Sequence, residues 1–362
     1  MLACLLSAPA DTEKDLYMKY TACKSGHSIA TYVLYLCLFA IGLMLIGNTY
    51  VYAKGHEKFK VALLLPASIT DGGWNAFAYD GLKAIEKELG AKISHIESRT
   101  PTDQEAHFRD YALDGYQLIF GHGFEYQESA KQVAPDFPET VFITSTGNTV
   151  TDNISPIVFA IEEPVYLLGV IAGSMTQTNK IGIVGGQNIS AINSMFSAFE
   201  EGAKSVNPDV VVRRAYVGNW SDIGKGKELA RAHINEDSDF LFPVADVAGL
   251  GVFQAAMEAQ SDGKTVYTFG VYRDQSELSP TTIVASAIVT PKVFVNLAKV
   301  VKEGTFEPQP YRFTMAEDEV LTFVYNPVLE DKVPETVQKA VEDAKAKILS
   351  GELKVEQTYL TQ

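Results

Sequence analysis

From residue 58 onward, the chain alternates short apolar runs rich in β-branched residues with amphipathic stretches of about ten to fifteen residues. The first half contains the runs FKVALLLP, AKISHIE, YQLIFG, TVFITST and SPIVFAI. A second cycle follows with KIGIVGG, PDVVVRRAYVG, DFLFPV, TVYTFGV and TIVASAIV. This alternation is typical of strand–helix–strand units around a parallel sheet. The sequence therefore predicts an α/β fold with two similar lobes, each a parallel sheet flanked by helices.

The amphipathic stretches predict helices over residues 75–89, 103–114, 125–134, 191–205, 225–236, 250–260, 291–303 and 335–349, and a further helix that begins at Glu162 and Glu163. Two short strands are expected within residues 311–326. We expect the first lobe to comprise residues 54–161 plus about 290–318, and the second lobe residues 162–289 plus about 325–362. No low-complexity linker separates them, so the crossings should be short and ordered.

The N-terminal part of the chain has the pattern of a secretory leader. Residues 29–48 form an uncharged apolar run that follows Lys19 and Lys24 and precedes the sequence VYA, which suits cleavage after Ala53. We therefore expect residues 1–53 to be a cleaved signal peptide, with Met18 as the true start, and a periplasmic mature protein. The alternative is an uncleaved membrane anchor, because the run approaches the ~20 apolar residues that span a bilayer.

Composition narrows the function. The formal net charge is −15, and the charges of residues 1–53 cancel, so the mature chain keeps an acidic balance that disfavours nucleic-acid binding. All three cysteines of the sequence lie in the leader, so the mature chain has none. No second His or Cys stands at metal-ligand spacing from His122. Phosphate-loop, dinucleotide-binding and nucleophile-elbow patterns are missing. These features predict a binding protein without cofactor or metal rather than an enzyme.

The loops that follow the predicted strands are the best candidates for a binding site, because ligands of open α/β sheets bind beyond the carboxyl ends of the strands. In TDGGWN, Gly72 and Gly73 bare the backbone beside Trp74, which could stack on a flat ligand, while Asn75 offers an amide. The alternative is that Asp71 or Asn75 caps the next helix and Trp74 packs on its first turn.

Other loops and helix starts supply further candidates, each with a structural alternative. Phe124 and Glu125, in GHGFEY, could form an aromatic wall and a carboxylate, or could decorate the first turn of a helix. The neighbouring His122 is expected to be a hydrogen-bonded loop residue. Asp246 could accept a ligand donor or cap its helix, and Phe196 could face the ligand or the core.

Several stretches together resemble the basic membrane lipoprotein family, which are the purine-nucleoside-receptor-like substrate-binding proteins of ABC importers. They are VALLLPASITDGGWNAFAYDGLKAI, FEYQESAKQVAPDFPETVFI, EEPVYLLGVIAGSMTQTNKIGIVGG, FEEGAKSVNPDVVVRRAYVGNWSDIGKGKELA and FGVYRDQ, and the likeness runs over about residues 58–350. The resemblance implies a type I periplasmic-binding fold that closes on a small molecule. It also implies an ABC permease in the inner membrane as partner, and we expect a monomer.

The same resemblance assigns roles to particular residues. The family's Asp-x-Ser-Phe-Asn loop falls on Asp71 to Asn75, so that Trp74 replaces the family phenylalanine as the stacking ring and Asn75 keeps the amide that addresses the base. Phe196 falls near a family phenylalanine that closes the other face of the ring.

Departures from the family pattern bear on the ligand. Thr146 stands where the family has an acidic residue that addresses the purine, Tyr272 where it has an aspartate for ribose hydroxyls, and Val289 where it has a lysine. Asp274 could replace the lost aspartate if the loop shifts by two residues. Because a buried unpaired polar group costs ~1–3 kcal/mol, these losses favour a purine base or related planar heterocycle over a nucleoside. A ligand-sensing partner of a membrane receptor and a periplasmic nucleoside hydrolase remain as alternative functions.

Overall fold

The computed structural model describes residues 58–317 and 320–358, and within them the predicted α/β fold is confirmed. The first half of the chain forms β1 (Lys60–Leu65), α1 (Trp74–Leu89), β2 (Lys92–Glu97), α2 (Pro101–Leu113), β3 (Leu118–Gly121), α3 (Tyr126–Val133), β4 (Val141–Ser145) and β5 (Ile154–Phe159). The rest forms α4 (Glu162–Met175), β6 (Lys180–Gly185), α5 (Ser190–Val206), β7 (Val211–Tyr216), α6 (Ile223–Asn235), β8 (Phe240–Val244), α7 (Asp246–Ser261), β9 (Tyr267–Tyr272), β10 (Ile283–Val289), α8 (Lys292–Lys302), β11 (Tyr311–Phe313), β12 (Leu321–Tyr325) and α9 (Glu335–Ser350).

The strands form two six-stranded sheets. The first sheet has the order β11-β5-β4-β3-β1-β2 and is parallel throughout, and the second has the order β12-β10-β9-β8-β6-β7, in which only β12 is antiparallel to its neighbour. In β1, residues 61–65 have no exposed surface, as expected for a parallel strand covered by helices on both faces. We call the elements around the first sheet the first lobe and those around the second sheet the second lobe.

The ends of the helices follow local sequence rules. Thr100 caps α2 by accepting a hydrogen bond from the amide of Asp103, and Pro101 occupies the first helical position, where its missing N–H costs nothing. Helices α1 and α9 end at Gly90 and Gly351, whose φ angles of 64° and 75° are left-handed. These signals explain why the predicted helices lie close to the observed ones.

The chain passes between the two sheets three times, after β5, after β10 and between β11 and β12. Helix α8 returns to the first lobe, where the Phe294 ring lies 5.3 Å from Phe77 and 5.0 Å from Phe120. In the second lobe, α4 and α5 pack so closely that a Cβ on Gly202 would overlap the carbonyl oxygen of Tyr166. The main hydrophobic cluster is continuous across both lobes, and each lobe adds a smaller cluster of its own on the other face of its sheet.

A polar cluster ties the C-terminal segment to the crossings. The Gln357 side-chain amide donates to the Phe159 carbonyl at 2.9 Å and to the Glu162 carboxyl at 3.0 Å, and its oxygen accepts from Arg312 at 3.0 Å. Burial raises the pKa of Glu162 to about 7, against the weaker lowering effect of its hydrogen bonds. The first crossing therefore carries a carboxyl group that is half protonated near neutral pH.

The predicted signal peptide, residues 1–53, and the predicted start at Met18 lie outside the described residues. Among the residues that are described, the helices are too short or too polar to span a lipid bilayer.

Candidate functional site

Asp71 fastens the loop after β1 to the start of α1. Its buried carboxylate accepts hydrogen bonds from the backbone amides of Gly73 at 3.0 Å, Asn75 at 2.8 Å and Ala76 at 2.9 Å. Amides of a first helical turn have no partner within the helix, so these bonds satisfy donors that would otherwise be unpaired. Asp71 therefore caps the helix, which is the structural role considered from the sequence.

Asn75 lies against this cap with an acceptor to spare. Its side chain has no exposed surface, and its amide nitrogen donates to Asp71 Oδ2 at 2.8 Å. A carboxylate can only accept, which fixes the orientation of the amide. Within the described part of the chain, Asn75 Oδ1 receives no hydrogen bond. A buried acceptor without a donor costs ~1–3 kcal/mol.

Trp74 lies where the two lobes meet. Its half-buried indole stacks on the His122 ring, with centroids 3.9 Å apart and planes 22° apart, and both belong to the first lobe. On the second lobe, the Tyr272 ring lies 4.9 Å away at an angle of 58°. The indole N–H points to the His122 carbonyl at 3.4 Å. The tryptophan thus contacts both lobes and is not buried inside either one.

His122 supports the indole as a neutral ring. Its Nε2 donates to the Trp74 carbonyl at 3.0 Å, because a carbonyl can only accept, so Nδ1 accepts the Ser145 hydroxyl at 2.9 Å. The side chain is fully buried, and this burial lowers the pKa of His122 to about 3. The imidazole therefore stays uncharged across the neutral range and holds Trp74 from below.

Strained backbone marks the ends of three strands around this point. Thr146 after β4, Asp246 after β8 and Tyr272 at the end of β9 have φ angles of 59°, 47° and 69°. L-residues rarely adopt such angles, and a β-branched threonine there is an outlier. Strain of this kind costs roughly 1–3 kcal/mol and concentrates at functional sites. All three residues were predicted from the sequence as binding residues, on grounds unrelated to their backbone.

Asp246, after β8, is influenced by the charges of carboxyl groups on two other loops. Asp246 is partly buried, and its pKa is raised well above the usual range, first by desolvation and then by the charges of Asp71 and Glu125. The Glu125 side chain is accessible to water, yet the protein around its carboxyl raises its pKa by desolvation. Since Asp71 and Glu125 belong to the first lobe and Asp246 to the second, the acidic groups span both lobes.

Direct bonds also join the lobes here. The Gln275 side-chain amide donates to the Gly72 carbonyl at 3.0 Å, and Arg273 pairs with Asp80 at 3.0 Å between Nε and Oδ2. Gln275 is itself held in place, because its side-chain oxygen accepts from the Val271 amide at 3.0 Å. The Arg273–Asp80 pair is partly exposed, so its net contribution is at most about 1 kcal/mol.

The two remaining predicted binding residues are phenylalanines in different surroundings. Phe196 is fully buried in the second lobe, where its ring packs near Tyr216 and Phe242, at 6.0 and 6.3 Å. This placement favours the core role that the sequence left open. Phe124 is 54% exposed, on the same loop as Glu125. It therefore offers an accessible ring.

Sequence reasoning missed the residues that join the lobes, namely Asp80, Arg273 and Gln275, and it gave His122 no part in supporting the indole. Gln275 does lie in the quoted segment FGVYRDQ. Its signal was its position after a strand, but only the fold brings that loop to Gly72, 203 positions earlier in the chain. Opposite charges on separate loops, such as Asp80 and Arg273, are too common in a sequence to be paired by inspection.

A cavity of about 660 Å³ lies elsewhere in the second lobe. It is bordered by the first residues of β8 and β9 and therefore opens at the edge opposite to the strand ends described above. Its wall mixes both charges, with Asp237, Asp239, Lys264 and Lys332. The residues with structural descriptions contain no group of three His, Cys, Asp or Glu side chains placed to hold a metal ion.

Curated relatives of known name cover most of this chain. It is 26% identical over 306 residues to the transcriptional activator protein Med of Bacillus subtilis, covering 84% of this chain and 94% of the relative. It is 31% identical over 235 residues to the ABC transporter nucleoside-binding protein BmpA of Lactococcus lactis, with 62% and 67% covered. A purine-binding protein of Brucella abortus is 28% identical over 305 residues, with 83% and 84% covered.

Solved structures agree on the fold. An ABC transporter solute-binding protein of Aeropyrum pernix superposes with a TM-score of 0.75 at 24% identity, covering 82% of this chain and 92% of that structure. One from Conexibacter woesei gives a TM-score of 0.69 at 24% identity, with 83% and 99% covered. The model of the family described as ABC transporter substrate-binding protein PnrA-like matches residues 58–358. The chain therefore belongs to the PnrA-like family of ABC transporter substrate-binding proteins, as its sequence motifs indicated.

Proposed function

We propose that this protein binds a small, flat heterocyclic solute between its lobes and presents it, unaltered, to an ABC permease in the inner membrane. The two sheets then mark two bodies that move on ligand binding, with the boundaries expected from the sequence, 54–161 plus about 290–318 and 162–289 plus about 325–362. The mature chain acts in the periplasm as a monomer. Family membership supports a binding role, and relatives named for nucleoside and purine binding support the ligand class.

The observation that carries the proposal is the contact of Trp74 with Tyr272. These rings belong to different lobes and lie 4.9 Å apart at loops that follow β1 and β9, the positions where open α/β sheets bind ligands. A flat guest between two rings needs about 3.5 Å on each side, or roughly 7 Å in total. Binding therefore requires these rings to separate by about 2 Å, with the lobes re-closing on the guest.

The neighbouring residues have distinct proposed roles. Trp74 supplies one stacking face, with His122 as its support, and Tyr272 lies on the other side. Asn75 Oδ1 accepts a hydrogen bond from the guest, because it is buried and receives none from the described protein. Asp71 positions Asn75 by holding its amide nitrogen at 2.8 Å. Thr146 and Asp246 complete the edge. Phe196 is left out of the site because its buried ring packs near Tyr216 and Phe242 inside the second lobe.

The guest is a planar heterocycle of the purine-base type or a related ring system, rather than a nucleoside. The family's aspartate for ribose hydroxyls is replaced by Tyr272, whose side chain is largely buried and whose hydroxyl lies 3.7 Å from Met195 Sδ. A nucleoside would leave its ribose hydroxyls short of partners, at ~1–3 kcal/mol for each buried group.

Ligand titration with fluorescence detection tests the proposal. Trp74 and Trp220 are the two tryptophans of the chain, so a Trp220→Phe background reports on Trp74 alone. Purine bases, nucleosides, pyrimidines and fused heterocycles are titrated into this background and into wild type by calorimetry. At least one planar heterocycle should bind and change the Trp74 emission, and mass spectrometry should recover it unaltered.

Two substitutions at Trp74 separate stacking from general damage. Trp74→Phe keeps a ring and should bind the best compound with little loss. Trp74→Ala should weaken it about 10- to 100-fold, because stacking of a base on an aromatic side chain contributes ~1–3 kcal/mol. Full affinity in Trp74→Ala, or a panel in which nothing binds, would overturn the proposed site. Recovery of a cleaved nucleoside would favour the hydrolase instead.

A further inference from the structure

The loops around Trp74 present acceptors from both lobes and few donors. Asp71 follows β1, Glu125 follows β3 and Asp246 follows β8, and β1 and β3 are neighbours in the first sheet. The second lobe brings Asp246 to them because β8 lies beside β9, whose last residue, Tyr272, touches Trp74. Strand order therefore brings acidic residues of both lobes to the strand ends where the proposed stacking rings lie.

These carboxylates lack a cationic partner within the described residues. Asp71 is satisfied by neutral donors, namely backbone amides and the Asn75 side chain. Asp246 and Glu125 form no ion pair with any described residue. The guanidinium of Arg273 follows β9, but it is already paired with Asp80 at 3.0 Å. Closing the lobes on a guest would thus enclose carboxyl groups without a cation. Because burial raises the pKa of Asp246 and of Glu125, a guest that brings positive charge would favour their ionised form.

A second feature of the same loops also requires a donor. Asn75 is fully buried, its amide nitrogen lies 2.8 Å from Asp71, and its oxygen receives no hydrogen bond from the described protein. This oxygen is a further acceptor beside the carboxylates, and it is uncharged and belongs to α1. It nevertheless presents the same polarity to a guest.

The aromatic rings suit the same kind of guest. Trp74 is the side chain whose ring face attracts cations most strongly, and Tyr272 lies 4.9 Å from it on the other lobe. A cation between aromatic faces gains ~0.5–2 kcal/mol beyond its buried area. A neutral guest would gain stacking but would leave the carboxylates without compensation.

We propose that the preferred guest of this cleft is cationic, a flat heterocycle that carries a positive charge and N–H donors directed at Asp246, Glu125 and Asn75 Oδ1. This inference rests on the proposed function, since it assumes that the guest binds beside Trp74. Asp246 is the main specificity residue, because it is the carboxyl group that the second lobe contributes, opposite Asp71 and Glu125 of the first. Charge, rather than ring size alone, then discriminates among planar solutes.

Probes that differ in charge at constant shape test the inference. Quinoline is neutral, N-methylquinolinium is a permanent cation without N–H donors, and 4-aminoquinoline is a cation with N–H donors at neutral pH. The neutral purines adenine and hypoxanthine complete the panel. The dissociation constants should fall from quinoline to N-methylquinolinium to 4-aminoquinoline, with about a tenfold or larger step overall, because hydrogen bonds to charged groups contribute ~1.5–3 kcal/mol.

Carboxylate substitutions assign the preference to residues. Asp246→Asn keeps the left-handed backbone available, because asparagine tolerates it, and should remove most of the preference for 4-aminoquinoline over quinoline. Glu125→Gln is a second variant on an exposed side chain, in which folding is easily preserved, and it should reduce the preference less. Asp237→Asn is the matched control, because that carboxylate is paired with Lys180 on the far side of the second lobe. It should bind like wild type.

The outcomes separate the two proposals. Neutral purines that bind as tightly as the cations, with Trp74→Ala still harmful, would overturn the cationic guest and leave the binding site intact. A charge preference that survives in both Asp246→Asn and Glu125→Gln would also overturn it. If no probe binds, or if Trp74→Ala changes nothing, the proposed site fails and the cationic guest fails with it.

Discussion

When the pH is lowered from 7 to 5, two buried groups should change the free energy of unfolding in opposite directions. His122 has a pKa of about 3 in the folded protein, against the usual 6.5, because it is fully buried. The unfolded chain therefore takes up a proton that the folded protein refuses. Stability from this group is complete above the unfolded pKa and is lost as the pH falls toward 3. At pH 5 the loss relative to pH 7 is about 2 kcal/mol.

Glu162 should offset this loss. Burial raises its pKa to about 7 from the usual 4.5, so between these values the folded protein binds the extra proton. Stability from this group is complete at low pH and is lost as the pH rises through 7. Acidification from pH 7 to pH 5 therefore returns about 2 kcal/mol, and the two effects nearly cancel in wild type.

Single substitutions should separate the two contributions. His122→Gln keeps an amide N–H for the Trp74 carbonyl but cannot titrate, so acidification should stabilise this variant by about 2 kcal/mol relative to wild type. Glu162→Gln mimics the protonated carboxyl, so acidification should destabilise it by about 2 kcal/mol relative to wild type. The free energy of unfolding is measured by urea titration at pH 7 and pH 5, with tryptophan fluorescence as the probe.

Because each variant is compared with wild type, the pH effects of groups that all three proteins share cancel. One such group is His233, whose pKa is also lowered by burial. The double variant should be as insensitive to this pH step as wild type. A His122→Gln variant with the same response to acid as wild type would show that His122 is not kept neutral by burial. The conclusion that an uncharged His122 supports the Trp74 indole would then be wrong.

Two further substitutions test packing and lobe contact. Gly202→Ala should lower the free energy of unfolding by about 2 kcal/mol or more, because its Cβ would meet the Tyr166 carbonyl. Gly224→Ala, in the exposed first turn of α6, is the control and should be neutral or mildly stabilising. Equal effects of the two variants in urea titration would refute the close packing of α4 on α5. Arg273→Met removes the ion pair with Asp80, so the radius of gyration measured by small-angle X-ray scattering should increase. The free energy of unfolding should change by less than about 1 kcal/mol. An unchanged radius of gyration would argue that this ion pair does not hold the lobes together.

Local sequence patterns were sufficient for the secondary structure and the fold class. Helix α1 was expected over 75–89 and extends over Trp74–Leu89, and the helix expected over 335–349 extends over Glu335–Ser350. These predictions succeeded because helix and strand periodicity, caps and glycine stops are properties of neighbouring residues. The resemblance to the family rested on similar local segments and agrees with the family match over 58–358.

The site was predicted less completely. The sequence singled out Trp74, Asn75, Asp246 and Tyr272, and the structure brings their loops to one edge, although their role in ligand binding stays a prediction. Phe196 shows what a local pattern leaves open, because the sequence around a helical phenylalanine does not tell whether its ring faces the core or a cleft. Its burial depends on Phe242 and Tyr216, which come from other strands.

The sequence by itself determined the alternation of strands and helices, the acidic balance and the loops rich in glycine and aromatic residues. Only the tertiary structure decided that Trp74 rests on a neutral His122 and faces Tyr272, and that no described residue donates to Asn75 Oδ1. It also decided that Asp246 of the second lobe is influenced by the charges of Asp71 and Glu125 of the first. The physical reason is separation along the chain. Burial, hydrogen bonding and electrostatic energy depend on distances in space, and here they join residues that are roughly 50 to 200 positions apart.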